Sequence, residues 1–462
     1  MEELYYGNSD EESEVNTNTS FNIEGNKMSK VYRDSQWDKN GVIEEMLKDI
    51  TIPRMAKVRQ LFDDTKIEDI PAVIREEFDR PEISKTINKG ASIAITAGSR
   101  GIANIATIIK EVVKNVKRLG GNPFIIPAMG SHGGATSDGQ KKVIEGLGIT
   151  EDNIAALIKS SMKTTYIGDN CDGKPVHIDA NAASSDGIIV VGRVKPHTAF
   201  RGDYESGLYK MMTIGLGKQK GAEICHSEGF GNMAHNVVAF AETIIEKAPI
   251  LFGLAIVENA FDDTALIEAV EINAIAEKEP ILLEKAKSLM PQIKIDNLDI
   301  LIVDQIGKNF SGDGMDPNIT GTFSTPYATG GPKVQKYVVL DLSDETNGNA
   351  MGAGMADFGT KRLFDKIDFD AAYPNALTCT VVKGAKIPVI LKNDKFAIAA
   401  AIYTCVGIDK KKPRIVRISN TSHINTIHIS EALKKEAKAH PELEIIEPIT
   451  DVPFDEDGNL LN

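Results

Sequence analysis

Apolar residues in this chain come in two rhythms, short unbroken runs and longer stretches where they recur every third or fourth position. Ala91–Ile95 is such a run, followed by Gly98-Ser99-Arg100-Gly101. Beyond it Ile102, Ile105, Ile109, Val112, Val116 and Leu119 keep helical spacing, and Gly120-Gly121 supplies a stop. A second strand is predicted over 123–127, ending in Gly130-Ser131-His132-Gly133-Gly134, with a helix over 137–147. Strand, helix and strand with a helix of that length make a parallel α/β unit. Further buried strands are expected over 187–191, delivering Val194-Lys195-Pro196-His197, and over 251–257. Residues 266–290 read as one helical stretch interrupted at Pro280.

The pattern restarts at Leu298–Val303 and continues through a run over 337–342, an Ala-rich helix over 396–403, strands near Ile415 and Ile427, and a charged helix over 430–440. The fold class is therefore α/β, with two α/β domains and a cleft between them, where ligands of such folds bind. Residues 31–292 form the first domain and 293–429 the second, and 430–462 either close the second or cross back to complete the first. Residues 1–30 are acidic and rich in Asn, Ser and Thr. They offer too little apolar surface to offset ordering entropy, and a disordered arm is expected there.

Composition narrows the function. A length of 462 residues with 42% hydrophobic and 26% charged residues is globular, and the formal net charge of −14 argues against nucleic acid as a partner. Four scattered cysteines without CxxC spacing suit a reducing compartment. No apolar run is long enough for a membrane span, and the N-terminus has no basic region followed by an apolar one. The expected location is cytoplasmic, and the oligomeric state is open.

The eight histidines make their settings informative. His132 lies in a glycine-rich loop and His197 follows another strand, both at the sheet edge where α/β active sites form. They are either loop surface residues or an acid/base pair. Lys210 follows Ser206-Gly207-Leu208-Tyr209 and precedes an apolar run. It is either solvated or a covalent anchor. Cys225 and His226 are adjacent, but a thiol-protease pair meets in space rather than in sequence, which excludes that reading. Gly98, Ser99, Arg100 and Gly101 stand between strand and helix, where backbone N–H groups and a helix N-terminus can hold an anion. Gln305 and Lys308, in Gln305-Ile306-Gly307-Lys308, face the cleft or form a polar turn. The Asn309–Gly321 segment is calcium-loop-like in composition but lacks EF-hand alternation and its terminal Glu, so a flexible substrate loop is expected.

Taken in order, Gly98-Ser99-Arg100, Gly130–Gly134, Lys195-Pro196-His197, Ser206–Lys210, His226 and Gln305–Lys308 resemble the lactate racemase family that uses a nickel-pincer nucleotide. The resemblance runs roughly from residue 50 to 430. It implies an isomerase that racemises or epimerises a 2-hydroxy acid by reversible hydride transfer. The implied cofactor is pyridinium-3,5-bisthiocarboxylic acid mononucleotide carrying nickel, attached at Lys210 and contacted by Gly98, Ser99 and Gly101. His226 is the implied nickel ligand, and imidazole suits that metal. His132 and His197 are the implied acid/base pair, and Arg100, Gln305 and Lys308 the implied substrate carboxylate clamp. Cofactor-synthesis enzymes are implied as suppliers. The chain departs from the family between His197 and Lys210, where Thr198–Glu205 is longer and more charged. The loop at Arg100 also lacks the acidic residue and prolines usual there. Arg201 and Tyr204 either contact a larger or more polar substrate than lactate or fold their loop over the cofactor. The alternative reading is a non-catalytic ligand-binding or regulatory protein on the same fold. A metal hydrolase ranks below both, because no HxH or HExxH spacing exists.

Overall fold

The computed structural model describes residues 41–99 and 101–461. The arm over 1–30 and Arg100 lie outside the described residues. Residues up to Asp49 form one unit and residues from Ile50 another. The described part of the first is a short helix, Val42–Leu47.

The second unit holds two large sheets. The six-stranded one runs, edge to edge, Leu157–Ile158, Asn122–Pro127, Ser92–Ala97, Gly187–Arg193, Ile250–Glu258 and Thr264–Glu271. All neighbours are parallel except the last pair. Its strands read as continuous apolar runs because helices cover both faces. The pleat sends Ile93, Ile95, Ile125, Ile189 and Val191 to one core and Ala94, Phe124, Ile126, Ile188 and Val190 to the other. Helix Ile105–Arg118 covers the first with Ile105, Ile108, Ile109, Val112 and Val116. Helices Met233–Lys247 and Ile275–Leu289 cover the second.

The expected helical stretch over 266–290 is corrected in its first part. Thr264–Glu271 is an edge strand paired antiparallel to Ile250–Glu258. Val270 packs into one core while Ile267 and Ala269 pack into the other, so period 2 prevails over the helical pattern. Pro280 does not break the helix that follows. It withholds the N–H that would bond the Ala276 carbonyl, and that carbonyl accepts the Tyr204 hydroxyl at 2.7 Å instead.

The eight-stranded sheet has the order Val389–Leu391, Phe358–Thr360, Val334–Leu342, Leu298–Ile306, Ile415–Ile418, Thr426–Ser430, Met55–Gln60 and Leu443–Ile445. It is parallel through Ile415–Ile418 and antiparallel beyond. Met55–Gln60 precedes every strand of the smaller sheet in the chain, yet it is seated here, with Ala56 and Val58 in this sheet's core. The C-terminal strands end here too. The charged helix expected over 430–440 is shorter, Lys434–Ala439, because Glu431–Leu433 form a tighter turn first.

His428 lies in this sheet with its pKa pushed down to about 4, by burial first and then by the Arg417 and Lys57 charges. Its folded pKa is below its unfolded value. The unfolded chain therefore takes up a proton below about pH 6.5 that the folded one refuses, and stability falls with acidification through that window. At pH 5 the expected loss from this group is about 2 kcal/mol relative to pH 7. Urea unfolding of His428→Gln at both values should lack that increment, and an unchanged difference would assign the acid loss elsewhere.

Candidate active site

Four of the sequence-predicted residues lie at or near one helical stretch that starts after Gly207. Leu208–Lys210 is its first turn, Met211–Leu216 a widened π-helical stretch, and Lys218–His226 a regular helix. Inserted π turns mark functional sites more often than chance. A Cβ on Gly98 would lie 3.1 Å from Met211 Cε, and one on Gly130, whose φ is +59°, 3.2 Å from Ile214 Cγ2. Glycine at both positions therefore lets the loops after two parallel strands rest against this stretch. They bring Ser99 and His132 together, with the Ser99 hydroxyl hydrogen-bonded to His132 Nδ1.

His197 sits in a loop closed by paired backbone bonds between Lys195 and Ser206, of 2.9 and 3.2 Å. Buried Glu205 anchors the loop, accepting the His197 N–H at 2.7 Å and the Arg201 guanidinium at 3.2 Å. The Ala199 N–H donates to His197 Nδ1 at 3.0 Å, and Phe200 lies against the imidazole at 4.4 Å between centroids. Burial, then the charges of Lys210, Lys195, His226 and Arg201, hold the His197 pKa well below the ordinary value, so the ring is neutral near pH 7. With Nδ1 taken by an N–H, its proton sits on Nε2.

His226 ends the helical stretch, and its Nδ1 lies 2.7 Å from the Ala222 carbonyl. A carbonyl only accepts, so Nδ1 carries the hydrogen and Nε2 keeps its lone pair. Burial lowers its pKa against that hydrogen bond, and Lys210 lowers it further. The Phe230 ring lies 5.9 Å from His226 and 6.2 Å from His197, and Lys210 Nζ is 5.9 Å from the Phe200 ring. His197, Lys210 and His226 thus share one pocket walled by Phe200 and Phe230. Cys225 points into the core instead, where burial pushes its thiol up to about 12.

Other predicted residues stand elsewhere. Gly98, Ser99 and Gly101 lie between strand Ser92–Ala97 and helix Ile105–Arg118, whose first residue follows Asn104 in a left-handed turn. The Ala103 N–H in that loop is taken by Glu258 at 2.6 Å. Gln305 and Lys308 belong to the larger sheet. The Gln305 N–H donates to Ser419, and Lys308 Nζ to the Gly312 carbonyl at 2.7 Å. Asp262, just past strand Ile250–Glu258, is within electrostatic reach of His423, which lies between two strands of the larger sheet. Burial and then Glu258 raise its carboxyl, while Arg193, His423 and Lys195 pull it down. The substrate loop expected to be flexible is folded. Asp316 caps the helix Pro317–Thr320, and Arg201 reaches Asn318 and the Thr329 carbonyl. Arg201 thus ties its loop to the Asn318–Thr329 segment, and Tyr204 ties it to helix Ile275–Leu289.

Sequence reasoning missed the support beneath the site. Lys218, fully buried and left-handed at φ +55°, donates to the Pro127 carbonyl at 2.7 Å and to Gln140 Oε1, and pairs with Asp179 at 3.6 Å. Gln140 Nε2 in turn holds the carbonyls of Gly130 and His132 at 2.8 and 3.2 Å. Buried Glu279 accepts the Tyr209 N–H at 3.0 Å, next to Lys210. Gly207, and Gly217 before Lys218, were the signals available.

The fold and pocket define an α/β protein in which His197, Lys210 and His226 come together beside a parallel sheet. Residues 43–236 match the family model of the lactate racemase N-terminal domain. This segment contains every candidate residue except Gln305 and Lys308, and the match supports a lactate racemase-family protein. That likeness supports a racemase-type activity. The chain is also similar to the lactate racemase apoprotein from Thermoanaerobacterium thermosaccharolyticum, at 13% identity and a TM-score of 0.49 over 80% of this chain and 99% of that one. No curated protein sequence matches it. Among the described residues, no helix is long and apolar enough to cross a membrane.

Proposed function

We propose that the protein racemises or epimerises a 2-hydroxy acid with a nickel-pincer nucleotide held at Lys210. The observation that carries this is the shared pocket of His197, Lys210 and His226. The residues fit the group. His226 presents a neutral imidazole with its Nε2 lone pair available, the form a nickel ligand requires, oriented by a backbone carbonyl on the other nitrogen. Lys210 lies within electrostatic reach of it, and its amine would form the thioamide tether. When bound, the nucleotide supplies a reversible hydride acceptor.

The chain's own residues then handle the proton. Hydride loss from C2 gives a planar keto acid only if the hydroxyl proton leaves as well, so a base must stand at that oxygen. His132 can serve, since the Ser99 hydroxyl can accept from Nδ1–H and leave Nε2 basic. His197 begins with Nε2–H and gives a hydrogen bond to the same oxygen. It would serve as base for the opposite enantiomer in its other tautomer, with the hydrogen on Nδ1 and the Ala199 N–H bond opened, so that Nε2 is left to accept the hydroxyl proton. Arg100, Gln305 and Lys308 are proposed to hold the carboxylate. Phe200 and Phe230 exclude water from the pocket.

Co-expression with the cofactor-making enzymes, followed by intact-mass and nickel analysis, tests the reading. Wild type should carry a covalent adduct and near-stoichiometric nickel, and Lys210→Ala neither. Absence of both from wild type, while the same enzymes load a known racemase, would reject it.

A further inference from the structure

A second cluster of ligating side chains lies outside the pocket. Cys171 and Asp172 occupy the turn between strands Thr164–Asp169 and Pro175–Asp179, and His235 the first turn of helix Met233–Lys247. One donor atom from each lies within 4.8 Å of the others, and all three residues are exposed. We infer that they form a surface site for a late first-row divalent cation such as zinc or nickel.

The donor set makes the choice. A thiolate and an imidazole favour zinc, nickel or cobalt, whereas magnesium and calcium take oxygen ligands. Bond lengths of roughly 2.0–2.3 Å place tetrahedral donors roughly 3–4 Å apart, so small side-chain rotations close the set, with water completing it. The turn is held for the purpose. Asn170 Oδ1 accepts the N–H groups of Asp172 at 3.0 Å and Lys174 at 2.9 Å, and Lys174 pairs with Glu228. The opposite face of the His235 helix is fixed in the core by Met233, Val237 and Phe240. His235 Nε2 already lies 2.8 Å from Asp172 Oδ2. Coordination through His235 Nε2 leaves the imidazole hydrogen on Nδ1, and a thiolate ligand requires loss of the Cys171 S–H proton, so binding releases a proton. No residue of the set belongs to the pocket of Lys210, and the inference stands apart from the proposed function.

Cobalt(II) titration of the reduced full chain tests it, read by the near-ultraviolet thiolate-to-cobalt band. One equivalent should bind with that band in wild type and equally in His226→Ala. Cys171→Ser should abolish the band, and His235→Ala should weaken binding by about tenfold or more. Binding with no thiolate band, or a Cys171→Ser titration equal to wild type, would overturn the site. So would loss of the band in His226→Ala alone. Zinc competition in buffers of different ionisation enthalpy should show the proton release.

Discussion

Lys218→Ala is expected to lower unfolding stability by roughly 3–5 kcal/mol, the cost of leaving a buried charge without its partner. Lys218 and Asp179 side chains are both 0% exposed. Burial raises the Asp179 carboxyl against the pull of Lys218 and of the backbone N–H groups of Ala182 and Asn181. Without the ammonium the carboxyl rises further, and the Pro127 carbonyl and Gln140 Oε1 lose their donor as well. The deficit should shrink on acidification, because protonating Asp179 removes the uncompensated charge. Adding Asp179→Asn to Lys218→Met should recover part of the loss, a coupling that a double-mutant cycle in urea measures. The change also reaches the site, since Gln140 spans Lys218 and the carbonyls of Gly130 and His132. A loss below about 1 kcal/mol would mean that the pair adds nothing net to stability and that water can enter in its place.

What the sequence disclosed follows from which interactions are local. Strands buried on both faces announce themselves as apolar runs, and each of those in the parallel part of the smaller sheet was legible from Ile93, Ile125, Ile189 and Leu254. Helix Ile105–Arg118 was legible because its buried positions keep one periodicity. Thr264–Glu271 was not, since it joins directly to a helix and its alternation is short. Met55–Gln60 was hidden differently. Its partners are Thr426–Ser430 and Leu443–Ile445, at the far end of the chain, and no local pattern encodes a pairing of that range. His132 and His197 stood out as candidates because a glycine-rich turn or a strand end flanks each, whereas Lys210 and His226 took their implied roles from the family resemblance. Glu279, Gln140 and Lys218 did not stand out, because each looks like an ordinary solvated residue on a helix until its helix is docked. The exposed charged residue is the common case, so only the tertiary contact distinguishes these.

Glu279→Gln is expected to flatten a pH dependence of about 3 kcal/mol. The Glu279 carboxyl is 1% exposed, and burial raises its pKa from 4.5 to about 7 although the N–H groups of Tyr209 and Leu208 favour the anion. Oε2 accepts the Tyr209 N–H, while Oε1 has no hydrogen-bond partner. The folded state therefore keeps a proton between about pH 4.5 and 7 that the unfolded chain has released. Stability from this group is fully present below that window and is lost as pH rises through it. Glutamine keeps the shape and the acceptor for Tyr209 but cannot ionise. The variant should match wild type near pH 4.5 and exceed it above pH 7 in urea unfolding, and parallel curves would show that the carboxyl stays ionised throughout. The group also bears on the pocket, because the helical turn it caps carries Lys210. A Cβ on Gly207 would come within 2.1 Å of Oε1, so Gly207→Ala must push the carboxyl off that turn. Gly207→Ala should therefore lower nickel-nucleotide loading at Lys210, whereas Glu279→Gln, with its cap intact, should load like wild type. That contrast separates the geometry of the cap from its charge, and equal loading by both would mean that the turn holds Lys210 in place without it.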